Sequence, residues 1–135
     1  MREILYRGKK ADNGEWVYGD LSKWSNGYFI SLQSQNIKAR THIEVYPETV
    51  GQYTGLKDKN GTKIFEGDIV RVSRGKDIET GEIQYNKYGV WVIVYDKFYC
   101  NTFPYIFTSS DSNVWIKVIG NIHDNPELLN AEDGL

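Results

Sequence analysis

The chain has a single cysteine, Cys100, among 135 residues. One thiol excludes an internal disulfide and fits a reducing compartment, and a chain of this length can close a core without a covalent staple. Helix-building residues are scarce: three alanines and seven leucines leave little material for amphipathic helices. The two histidines, His42 and His123, have no second ligand at metal-binding spacing, so the pattern carries no zinc site. No stretch approaches the ~20 apolar residues of a membrane span. Met1-Arg2-Glu3 runs straight into strand-like sequence with no apolar signal core. A cytosolic protein without a membrane partner is the expectation. Charge of one sign is lacking too: the formal net charge is −2, a poor match for a phosphate backbone. The balance is uneven, with ten Lys/Arg against seven Asp/Glu in residues 1–63 and six against eleven in residues 64–135.

What the chain holds in quantity is aromatic and turn-forming. Four tryptophans, ten tyrosines, five phenylalanines and thirteen glycines favour strands joined by tight turns. The densest turn chemistry lies between Gly51 and Val72 (GQYTGLKDKNGTKIFEGDIVRV). Two strand-like pieces, Tyr53–Leu56 and Lys63–Phe65, flank Asp58-Lys59-Asn60-Gly61. Asn60-Gly61 supplies the positive φ that a hairpin demands, and Asp58 is placed to bond the turn's amides. Glu66-Gly67-Asp68 is a second turn, feeding a strand over 69–73.

The rest of the chain keeps the same rhythm. Strands are predicted over 2–7, 15–21 and 28–32, separated by turns at Asp12-Asn13-Gly14 and Ser25-Asn26-Gly27, which is the spacing of an antiparallel meander. Residues 33–40 read as a loop and 43–45 as a short strand. Residues 73–80, polar and charged, read as an exposed loop. Strands follow over 81–85 and 90–96, the second apolar on both faces and therefore expected in the sheet interior. The aromatic run 98–107 carries Pro104, the mark of an edge or bend, and 114–119 is the last strand. Asn125 as cap with Pro126 and Glu127 behind it announces a short helix.

Three segments carry a family resemblance. Thr49 to Gly61 (TVGQYTGLKDKNG) with Ile64 to Val70 (IFEGDIV), the ending Val118 to Leu129 (VIGNIHDNPELL), and the opening Arg2-Glu3-Ile4 strongly resemble the YopX family. The resemblance brackets almost the whole chain, with 73–112 the least family-like part. It implies a phage or prophage origin, hence a bacterial host cell, and an SH3-like β-barrel. It carries no catalytic or binding residues onto this chain. The fold class expected is therefore mainly β and antiparallel: an SH3-like small β-barrel over 47–123, preceded by an N-terminal β-meander over 1–46 and followed by a short C-terminal helix and tail over 124–135.

Candidate chemistry is thin. Glu66 and Asp68 would share one strand face as an acid/base or metal pair does, but a Gly-Asp turn explains both more simply. Asp58-x-Asn60-Gly61 lacks the further oxygen ligands of a calcium loop. Cys100 has no base at hand, and Ser109-Ser110-Asp111-Ser112 is no nucleophile elbow. No cofactor is expected and no enzyme. The functional lead is aromatic. Trp91, Tyr95, Tyr99 and Tyr105, with Arg71 and Arg74 as neighbouring cations, form the candidate interaction surface, while Asp58, Asn60, Gly61, Gly67 and Asp68 are assigned to structural turns. Acids Asp77, Glu79, Glu82 and Asp96 interleave with those cations, which favours packing in the core or a protein interface over nucleic acid. The expectation is a non-enzymatic protein-interaction module docking a host or phage protein, or a second copy of itself as a homo-oligomer. The alternative is a β-barrel that binds nucleic acid.

Overall fold

The computed structural model describes residues 3–32, 41–96, 99–102 and 114–130. Among these residues it is mainly β and antiparallel, with one short α-helix. The chain forms two compact units, Met1–Gly55 and Leu56–Leu135, and the division falls inside a strand. The hydrogen bonding gives the reason. Residues 51 and 52 pair with residues 7 and 6, so the start of that strand belongs to the N-terminal sheet.

In the first unit β1 (Tyr6–Lys9), β2 (Trp16–Trp24), β3 (Gly27–Leu32) and β4 (Thr41–Val45) pair in consecutive antiparallel hairpins. β5 (Gly51–Lys57) joins the free side of β1. The far ends of β4 and β1 meet through the Lys10–Val45 bridge, with Tyr46 N–H donating to Lys9 O at 2.9 Å and Ala11 N–H to Glu44 O at 3.0 Å. Among the described residues of this unit, Ile30, Val45 and Tyr53 are the buried hydrophobic side chains. A 3-10 turn, Pro47–Thr49, leads into β5. Thr49 fixes it: its hydroxyl donates to Tyr46 O and accepts Lys9 N–H at 2.8 Å.

In the second unit the end of β5 and β6 (Lys63–Phe65) are hydrogen-bonded neighbours around the 58–62 turn. The main sheet runs β10-β9-β8-β7-β11, from β7 (Asp68–Arg74), β8 (Asp77–Tyr85), β9 (Trp91–Asp96), β10 (Tyr99–Thr102) and β11 (Val114–Asn121). Ile64, Val70, Val72, Ile83, Ile93 and Ile116 form its buried cluster. Alternation along β7 explains the choice, since Val70 and Val72 face the cluster and Arg71 between them is exposed. β9 lies inside the sheet, between β8 and β10. The short helix α1 (Glu127–Asn130) follows Pro126. The Asn125 side chain points backwards, its Oδ1 accepting Asn121 N–H at 3.3 Å.

One expected loop is a strand. Residues 73–80 form a hairpin in which Arg74 pairs with Asp77 across Gly75-Lys76. The first residues of β8 look loop-like because Asp77 and Ile78 are exposed, but their backbone is held by β7. The expected loop at 33–40 and most of the aromatic run 98–107, with Pro104, lie outside the described residues. Among the described residues β10 and β11 are the sheet's two edges and are not paired with each other.

Candidate functional site

The sequence-assigned surface separates into members that pack and members outside the described residues. Trp91 and Tyr95 are half-buried against the core cluster of the second unit. Tyr95 OH accepts from Arg74 Nη2 at 2.7 Å, while Arg74 Nη1 binds Glu79 Oε1 at 3.0 Å. Arg74, Tyr95 and Glu79 are therefore one network across β7, β8 and β9. Arg71 is exposed and stands directly opposite Lys117 on β11 and Thr80 on β8. Tyr99 contributes backbone to β10, opposite Asp96; its side chain, like Tyr105 as a whole, is outside the described residues.

The assigned turn residues close two loops. Asp58 is buried, and its Oδ1 accepts the N–H groups of Asn60 and Thr62, each at 2.9 Å. Its Oδ2 accepts Val118 N–H of β11 at 2.9 Å. Asp58 N–H donates to Thr62 O and Gly61 N–H to Asp58 O, so the loop has three residues with Gly61 at φ 83°, the turn-plus-bulge form of hairpin. Asp68, 2% exposed, accepts Phe65 N–H on Oδ2 at 2.7 Å, across Gly67 at φ 91°. Among the described residues no three His, Cys, Asp or Glu side chains gather as metal ligands would.

Exposed aromatics lie elsewhere. The four tryptophans have different fates. Trp16 carries the Arg7 guanidinium at 4.6 Å from its ring, and Trp115 carries Lys59 Nζ at 3.9 Å. Trp91 stacks edge-on with Tyr85, its partner in the β8–β9 register, at 4.8 Å. Trp24 is 60% exposed. At the β8–β9 hairpin, Tyr88 is 77% exposed and Tyr85 is exposed beside Trp91, with Lys87 Nζ over the Tyr88 ring at 5.3 Å. The turn beneath is rigid: Asn86 Oδ1 accepts the N–H groups of Tyr88 and Val90 at 2.9 and 3.0 Å. Tyr85 and Tyr88 stand outside the aromatic run 98–107, and period-two alternation could not rank them above Tyr95. Trp24 gave no signal, because its partners Phe29 and His42 come from two further strands.

These features define a class: a small, mainly antiparallel β protein with aromatic residues both sealed in its core and displayed on a hairpin. The family model described as YopX protein matches residues 5–130, and the chain belongs to that family. The crystal structure of protein EF1440 from Enterococcus faecalis is similar over 96% of this chain and 99% of that one, at 27% identity and a TM-score of 0.56. No curated protein matches the chain.

Proposed function

We propose that this protein is a phage- or prophage-encoded, non-enzymatic protein-interaction module acting in the bacterial cytoplasm, with its second unit built on the SH3-like barrel plan. Support for the plan comes from strand order: β7 to β10 pair consecutively, and β11 returns to pair with β7. The observation that carries the interaction reading is the aromatic hairpin end formed by Tyr85, Tyr88 and Trp91. Exposed tyrosine and half-buried tryptophan on a stiff turn suit an interface anchor, because they offer large apolar area at little entropic cost.

The test is affinity capture of the tagged chain from cells with an induced prophage, with nuclease and at raised salt, beside the Tyr85→Ser/Tyr88→Ser double variant. A stoichiometric companion protein lost with the double variant supports the reading. A companion retained by that variant, a homo-oligomer alone, or no companion overturns it.

A second reading has one observation of its own. Arg71 and Lys117 stand side by side on neighbouring strands, and Trp115, under Lys59, lies two residues from Lys117 on the same face. Cations next to an aromatic ring are the elements of single-strand binding. On that reading single-stranded nucleic acid binds, its affinity falls steeply with salt, and Arg71→Gln/Lys117→Gln flattens the salt slope.

A further inference from the structure

One face of the first unit assembles an aromatic box beside a carboxylate. The strand register sets Trp24 opposite Gly27, Phe29 opposite Glu44 and Ser31 opposite His42, so Trp24, Phe29, His42 and Glu44 share one side of β2, β3 and β4. Gly27 leaves a gap that its neighbours fill. A Cβ there would lie 3.2 Å from Glu44 Oε2 and 3.6 Å from the Phe29 ring. The carboxylate oxygen and the Phe29 ring edge therefore both border the place that a side chain at Gly27 would take. The Trp24 indole meets the Phe29 ring at 6.4 Å and 73°, and the His42 ring at 6.3 Å and 68°. With Asn26 these three rings line an open hollow of about 210 Å3. The His42 ring is steadied from below, its Nδ1 lying 2.8 Å from the buried Ser31 hydroxyl.

We propose that this box binds an alkylated ammonium group. Steeply inclined rings around one hollow hold a cation by its attraction to their faces, and Glu44 adds a negative charge that has no ion pair among the described residues. The adjoining hollow carries Lys10 and Asp12 with Glu44; Lys10 and Asp12 offset each other, which leaves Glu44 as the charge next to the rings. A primary ammonium brings three N–H donors, and among the residues lining the hollow only the Asn26 amide and the His42 ring carry polar atoms, Glu44 lining the adjoining hollow. A quaternary ammonium has no donors to satisfy and suits a mostly apolar lining. Size argues the same way, since drug-sized ligands take pockets of roughly 300–1,000 Å3. The group could be carried by a small free molecule or by a methylated lysine of a partner. The proposal is independent of the Tyr85–Tyr88–Trp91 hairpin end.

The test is titration of the full chain followed through its tryptophan indole N–H signals in 15N NMR, with the Trp24 signal assigned as the one missing in Trp24→Phe. Choline and tetramethylammonium are compared with sodium at equal ionic strength and with 3,3-dimethylbutanol, the uncharged isostere of choline. The expected result is a saturable shift of the Trp24 signal by both cations, with the uncharged isostere at least about ten-fold weaker. Glu44→Gln weakens binding by about two- to five-fold. Phe29→Leu abolishes the shift of the Trp24 signal while the other three indole signals stay in place. A trimethyllysine peptide binding more tightly than choline points to a protein source, and the reverse to a small molecule. Equal binding by the uncharged isostere, or no shift with either cation, overturns the proposal.

Discussion

Asp58 and Asn86 show how much one side-chain atom decides. Both head a three-residue hairpin loop ending in a glycine, and in both the side-chain oxygen accepts the N–H groups two and four residues on. Only Asp58 uses a second oxygen, accepting Val118 N–H from β11. Amide chemistry would satisfy the first role but turn an NH2 donor toward another donor in the second. Asp58→Asn is therefore expected to destabilise by about 1.5–3 kcal/mol, whereas Asn86→Asp stays within about 0.5 kcal/mol. Urea unfolding measures both, and equal midpoint shifts would contradict the assignment. The local half of Asp58's role is legible in the sequence, because Asp-x-Asn-Gly is written in four consecutive letters. The half that reaches Val118 is a tertiary contact across 60 positions, and no local pattern encodes it.

At the scale of elements, β8 is the lesson. Its first residues are charged and exposed, so hydrophobic periodicity places a loop there, yet the β7 backbone holds them as strand. Strand identity in such a segment lies in its partner rather than its composition. The segment 43–45 grows to a five-residue strand, Thr41–Val45, for the same reason, its backbone being held by β3. Further along β8, Gly81 marks a close crossing: a Cβ there would stand 2.7 Å from Ile93 Cγ2 and 3.0 Å from Val94 O on β9. Gly81→Ala is expected to cost about 1–3 kcal/mol through overpacking. Thermal unfolding of the variant checks it, and an unchanged or raised Tm would mean that β9 yields freely. The candidate surface shows the limit at this scale. Alternation identifies the strands on which Trp91 and Tyr95 sit, but which residue on a strand faces the core follows from the other strands around it.

At the scale of the molecule, the family, the mainly antiparallel β class and the closing helix are all legible, since each rests on contiguous motifs. The aromatic box is not, because it needs the register of three strands. Unequal protection follows from the topology. β7 is hydrogen-bonded on both sides and carries the buried Val70 and Val72, whereas β4 is an outer strand with mostly exposed residues. Amides of β7 are expected to exchange with solvent only on global unfolding, and those of β4 far faster. Comparable rates in the two strands would refute this account. The pairing of β7 with β11 also sets a schedule for the nascent chain. Residues 68–74 receive β8 at once, but their other edge waits for residues 114–121. At roughly 5–20 residues per second, the 40 positions from Arg74 to Val114 take about two to eight seconds to synthesise. Throughout that interval an apolar strand presents an open edge to its surroundings. This protein is therefore most vulnerable to misassembly late in its own translation, and a ribosome stalled before Val114 would release a chain whose most buried strand is still half unpaired.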